Sequence, residues 1–178
     1  MVNVKKNVVL KQSDLDRSSF ALAKKIILDV PLAMGTDTVG SILQSIKKNI
    51  SMLHHIDYIY IIDVHTHLKG VVSFKQLLTS SKKTKVVTLI QKRVITATLD
   101  MDPENVADLA VKHNLKAIPV VEHKKLLGVV PIEHLLPILN KALRENILHL
   151  AGIHKAHLNY ENTLAVPLFL SVLHRIPY

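Results

Sequence analysis

The sequence predicts an α/β fold built from two copies of one β-α-β-β-α unit, and three observations carry that expectation. Short runs of β-branched residues, Ile59-Tyr60-Ile61-Ile62 and Ile118-Pro119-Val120-Val121, alternate with segments whose apolar residues recur at helical spacing. The same order of elements occurs twice along the chain. Between the two occurrences, Thr79-Ser80-Ser81-Lys82-Lys83 gathers small hydroxyl residues and charge with no apolar period, as a polar linker does.

In the first copy, Val30-Pro31-Leu32 supplies a strand and Gly35-Thr36-Asp37-Thr38 a turn. A helix comes next over 39–50, with Val39, Ile42, Leu43 and Ile46 on one face. Thr36 is placed to accept the free N–H groups at its start. A strand over Tyr58 to Asp63, a polar turn and Leu68 to Ser73 lead into a second helix. The second copy opens with a strand over Val94 to Thr98. Asp102-Pro103-Glu104 then provides a cap, a first-turn proline and a dipole-favoured acid. A helix over 106–113 carries Val106, Leu109, Ala110 and His113 on one face. After it come a strand over Ala117 to Glu122, in which Pro119 implies an edge or strand-end position, and Leu127 to Pro131 before a last helix. The divisions are a lead-in over 1–29, repeats over 30–90 and 91–140, and a helical connecting segment over 141–178.

A chain of 178 residues, 48% hydrophobic and 21% charged, has the apolar content to bury a core in one domain or two small ones. It has no cysteine, which excludes disulfides, thiolate zinc sites and a cysteine nucleophile and fits the cytosol. No run reaches the roughly 18 to 20 apolar residues of a bilayer span. Leu164 to Leu173 is broken by Pro167 and Ser171, and Val8 to Leu10 is too short for a signal-peptide core. The 23 basic and 14 acidic residues give a net charge of +9, with the excess in the first half; residues 91–140 carry six of each. With four Tyr, three Phe and no Trp, base-stacking platforms are scarce, and nucleic acid is not expected as a partner. No serine or threonine has a sequence-visible catalytic arrangement and no glycine-rich loop has phosphate-cradle spacing, so a binding or regulatory module is expected rather than an enzyme.

Histidine is abundant, at 11 residues. His154 and His157 share one helix face and, with a carboxylate such as Glu145 or Glu161, would suit Zn²⁺ or Ni²⁺. Scattered surface imidazoles fit the same pattern. Among the acids, Asp100, Asp102, Glu104 and Asp108 read as a capped helix start, whereas Asp57, Asp63 and Glu145 are dispersed.

The motif Ala117-Ile118-Pro119-Val120-Val121-Glu122, a polar turn, and Leu127-Gly128-Val129-Val130 before a helix resembles the cystathionine β-synthase (CBS) domain. Its doubling over residues 30–140 resembles a tandem CBS pair. The helix over 144–153 and the segment Leu164 to Tyr178 are similar to the helices that connect that pair to the membrane in MgtE-type magnesium transporters. The resemblance implies a homodimer of CBS pairs on the cytoplasmic face of the cell membrane, regulating a membrane pore C-terminal to the chain. It also implies Mg²⁺ and an adenosine nucleotide, ATP or AMP, as ligands. Ser73, Gln76, Ile118, Pro119, Pro131 and His134 match the nucleotide-lining positions, and Asp57, Asp63, Glu145, His154 and His157 are the metal candidates. The family pattern places a hydroxyl and then a carboxylate after the last strand. The first copy has Ser73 and Gln76 there, and the second has Pro131 and His134. A soluble nucleotide sensor and a histidine-dependent metal module are the alternative readings.

Overall fold

The computed structural model describes residues 20–150, with side chains up to residue 147, and the chain divides into two compact units between Asn140 and Lys141. In the first unit, β1 (Leu32–Met34) runs parallel to β2 (Tyr58–Ile62), which pairs antiparallel with β3 (Leu68–Ser73). Helices α1 (Val39–Asn49) and α2 (Phe74–Thr79) belong to this repeat. The second repeat contributes α3 (Pro103–Lys112), the antiparallel pair β4 (Ala117–Glu122) and β5 (Lys125–Pro131), and the start of α4 (Ile132–Leu150). The part of α4 beyond Asn140 lies in the second unit. No helix among the described residues is long and apolar enough to cross a membrane.

The two repeats share even their irregularities. Ile61 pairs with Gly70 and then the register slips at Ile62; Val120 pairs with Gly128 and slips at Val121. One bulge, placed identically in both hairpins, makes Tyr58 equivalent to Ala117, Tyr60 to Pro119, and Ser73 to Pro131. The packing is layered accordingly. One cluster, with Ile42, Ile59, Val72 and Leu77, fills the space between the first sheet and its helices, and another, with Val106, Ile118, Val130 and Leu135, does so in the second repeat. A third, with Leu32, Tyr60, Val71, Ala117 and Val129, joins the two sheets face to face.

The connecting segments cross over. Ile27 exchanges backbone hydrogen bonds with Val129, its N–H donating at 2.8 Å and its carbonyl accepting at 3.0 Å. Gln91 makes the equivalent exchange with Val71 at 2.9 and 3.2 Å. The segment before the first repeat therefore edges the sheet of the second, and the segment before the second edges the sheet of the first. Leu22, Ala23 and Ile26, in the stretch read from sequence as a lead-in, are buried in the core of the second repeat.

Two local expectations change. Thr38, not Thr36, caps α1: its Oγ1 accepts from the Ser41 N–H while Ser41 Oγ accepts from the Thr38 N–H. The strand over Val94 to Thr98 reduces to one parallel bridge between Ala97 and Val120. The reason is Pro119, which lies within β4, an edge strand of its two-stranded sheet, in keeping with the expected edge position. In the first repeat, Tyr60 N–H donates to Pro31 O at 3.0 Å, and at the equivalent position a proline has no N–H to offer. Its carbonyl still accepts from Ala97 N–H at 3.0 Å, so its unpaired edge faces that segment.

Candidate ligand cleft between the repeats

Strands β2 and β4 approach one another at their N-terminal ends, because the third core cluster holds the sheets face to face there. A small pocket of about 80 Å³ opens between Tyr58, Tyr60, Ala117 and Pro119, and is closed behind by Gln91 and Arg93 of the crossing segment. Tyr60 is 2% exposed; burial, with the nearby Tyr58 and Asp57, pushes its phenol well above the ordinary value, so it stays a neutral hydroxyl. Tyr58 is shared with a wider, open cleft of about 490 Å³. Ser73, Phe74 and Lys75 at the start of α2 line one side of it, and Lys116 of the second repeat lines the other. That volume lies within the several-hundred-Å³ range of small-molecule sites.

The predicted nucleotide positions divide between cleft and core. Ser73 lines the wider cleft and Pro119 the small pocket. Ser73 also caps α2: its Oγ accepts from Gln76 N–H at 3.2 Å, and Gln76 Oε1 accepts from Ser73 N–H at 3.2 Å. Gln76 is thus anchored locally through its oxygen. Ile118 is fully buried in the core of the second repeat, on the opposite face of β4 from the pocket that Ala117 and Pro119 line. Pro131 is buried at the end of β5, and exposed His134 points Nδ1 at Lys25 O, 2.9 Å away.

Of the metal candidates, Asp57 and Asp63 are not brought together. Asp57 and Asp63 flank opposite ends of β2, and Glu145 lies in the second unit. His154 and His157 fall outside the described residues. Asp63 is a turn residue: its carboxylate accepts from the His65 and His67 N–H groups, each at 2.9 Å, and sits 3.0 Å from both His67 Nδ1 and Lys69 Nζ. Desolvation works to raise its pKa, but the donors from Lys69, His67 and His65 together outweigh it and hold the carboxyl well below the usual range. Among the described residues no three His, Asp or Glu side chains are grouped so as to hold a metal ion.

Sequence reading missed the residues that ring the cleft: Tyr58, Lys75, Arg93 and Lys116. It also missed a contact across the repeats. His55 has Nδ1 3.0 Å from Asp57 Oδ2 and Nε2 3.3 Å from Glu133 Oε1, the latter off the line of a hydrogen bond. Superposing the two copies on Gly70 and Gly128 would have brought these positions into view.

Two hairpins with the same bulge, packed sheet to sheet around a cleft and edged by each other's connecting segments, define a tandem CBS domain pair, and residues 86–141 match the CBS domain family. Within that class the chain resembles the cytosolic region of MgtE. It is 29% identical over 135 residues to the magnesium transporter MgtE of Thermus thermophilus, covering 75% of this chain and 30% of that protein, so it corresponds to less than a third of the relative's length. A crystal structure of the cytosolic domain of the Mg²⁺ channel MgtE in complex with ATP aligns with a TM-score of 0.68 at 26% identity, covering 71% of this chain and 52% of that one. The soluble part of a magnesium transporter aligns with a TM-score of 0.70 at 23% identity, over 73% of this chain and 52% of the other.

Proposed function

We propose that this chain is the regulatory CBS-pair region of an MgtE-like magnesium transporter, acting as a homodimer at the cytoplasmic face of the membrane and biasing a pore carried C-terminal to it. The ligand is an adenosine nucleotide, ATP or AMP, in the cleft at Tyr58. The observation that carries this reading is a mostly apolar pocket walled by Tyr58, Tyr60 and Pro119 that shares Tyr58 with an open cleft flanked by Ser73, Lys75 and Lys116. The pocket suits the base. Ser73 and the amide nitrogen of Gln76 offer polar groups for a ribose, and the two lysines suit phosphate oxygens. Because the cleft is lined from both repeats, a bound nucleotide favours one arrangement of them over another, which is all a regulatory ligand requires.

The described residues do not fit a Mg²⁺ site, since that ion wants carboxylate oxygens and retained water and the acids here are dispersed. No step of the proposal runs through a metal bound to them. The relatedness to MgtE supports the pore; the same cleft would equally serve a soluble nucleotide sensor. Calorimetry with ATP, AMP and adenosine, with and without Mg²⁺, tests the reading. Saturable heat with ATP or AMP is expected, with its affinity moved by Mg²⁺ in the transporter case. Absence of binding by all three compounds would refute it.

A further inference from the structure

A separate pocket of about 180 Å³ lies at the other end of the strands, where the hairpins turn. Its wall carries three lysines from three elements: Lys69 in β3, Lys92 in the crossing segment and Lys124 in the β4–β5 turn. Gly70 and Thr96 also line it, and no carboxylate does. The other half of the molecule shows that the fold does not require this arrangement. By the registers that equate the repeats, Lys69 corresponds to Leu127, Lys92 to Leu28 and Thr96 to Leu32. There the same place is closed by packing: Leu127 and Leu32 are buried, and a Cβ on Gly128 would meet Leu28 Cδ2 at 3.1 Å. Around Gly70 the close atoms belong to Ile90 and Gln91, and beside it the pocket stays open. Three aliphatic positions have thus become two ammonium groups and a hydroxyl, which forgoes apolar burial and gains nothing for the core.

The cations are held in place without being neutralised. Among the described residues neither Lys92 nor Lys124 has an ion-pair partner, and the Thr96 hydroxyl has no hydrogen-bond partner. Lys69 Nζ sits 3.0 Å from Asp63 Oδ2, but an ammonium has three protons to donate. Lys124 adopts φ 68° directly after His123 at φ 48°, a turn that ordinarily takes asparagine and glycine. Its carbonyl accepts from Leu68 N–H at 2.9 Å, so the turn that carries this lysine is fastened to β3.

We infer that this pocket binds a compact multivalent oxyanion of the phosphate or pyrophosphate kind, at a site distinct from the cleft at Tyr58 and independent of the nucleotide reading. The volume falls short of the several hundred Å³ of a nucleoside-sized site and suits one or two phosphoryl groups. Lysines serve such a ligand as point charges, and a semi-enclosed position strengthens the attraction over that in open water. Because the lysines come from both repeats, a bound anion relieves their mutual repulsion and ties the β4–β5 turn to β3 and the crossing segment. A free oxyanion and a phospholipid headgroup offer the same chemistry, and the experiment separates them.

The test is amide chemical-shift mapping of the full chain with sodium pyrophosphate at constant ionic strength, beside flotation with phosphatidylglycerol vesicles. Pyrophosphate should shift Lys69, Lys92, Thr96 and Lys124 along one saturating isotherm and raise the melting temperature as its concentration rises. Lys92→Gln with Lys124→Gln should weaken that isotherm by at least about tenfold, whereas Lys92→Arg with Lys124→Arg should retain it. Both side chains are exposed, and an unchanged urea midpoint without ligand checks that the variants fold. Flotation that depends on the two lysines, with no response to soluble pyrophosphate, would assign the anion to a lipid headgroup. Equal shifts with chloride, shifts confined to Ser73 and Lys75, an isotherm that the glutamine variant leaves unchanged, or no binding in either form would each overturn the inference. None of these outcomes decides whether ATP binds at Tyr58, which calorimetry reads separately.

Discussion

Replacing Gly70 or Gly128 with alanine should destabilise the first unit far more than the same change at Gly35, because these two glycines are where the crossing segments touch the sheets. A Cβ on Gly70 would collide with Ile90 Cγ2 and lie 2.6 Å from Gln91 O; one on Gly128 would collide with Ile26 Cγ2 and lie 2.8 Å from Ile27 O, where ordinary contact begins at 3.4 Å. The side-chain clashes can turn away, but the carbonyls cannot move without opening the paired hydrogen bonds of Gln91 with Val71 and of Ile27 with Val129. Overpacking costs about 1–3 kcal/mol and each net hydrogen bond about 1 kcal/mol, so a loss of about 2–5 kcal/mol is expected at either site. At Gly35 the nearest atoms would be 3.8 Å away, and alanine should be near neutral. Urea denaturation of the three variants measures this. A Gly70→Ala protein within about 0.5 kcal/mol of the parent, the usual scatter of innocuous surface changes, would refute the claim that the crossing segments are held by close backbone approach.

Ser73→Ala should cost about 1 kcal/mol of stability through loss of the α2 cap, read by the same denaturation assay. Gln76→Asp, which places a carboxylate where the family pattern has one, should tighten adenosine nucleotide binding by several fold, since an ionised acceptor strengthens a ribose hydrogen bond; calorimetry reads it. Asp63 has a depressed carboxyl pKa, so its contribution is fully present above the unfolded value near about 4 and is lost as pH falls through the lower folded value. Asp63→Asn should accordingly be less stable than the parent at neutral pH, with the difference closing in acid, as thermal melts across pH would show. Pro119→Val should restore a donor toward the segment before Ala97 and slow hydrogen exchange of the residue 119 amide relative to the amides of an exposed turn.

The duplicated architecture was legible because it is written in local signals: β-branched runs, helical spacing, and a glycine at the same place in both hairpins. What escaped was set by long-range pairing. Thr36 and Thr38 offer the same hydroxyl, and only the position at which the chain enters α1 selects Thr38. Pro119 was visible as an awkward strand residue. That it erases a neighbouring strand depends on which edge of β4 its nitrogen faces. The site residues taken from the family pattern, Ser73 and Pro119, landed on the cleft. Ile118 did not, because alternation along β4 turns it to the helix side. Lys75, Lys116 and Arg93 carry no motif and gain meaning only from their placement around Tyr58.

The crossed connections make each half of the pair an incomplete object. Severing the polypeptide within the stretch Ser80 to Lys85 would leave one fragment holding the edge that the other needs, in both directions. Such pieces should be poorly folded alone and reassemble when mixed. A tug on the residues around Ile27 would likewise be felt first in the distal copy at β5, not in the copy that comes next along the chain.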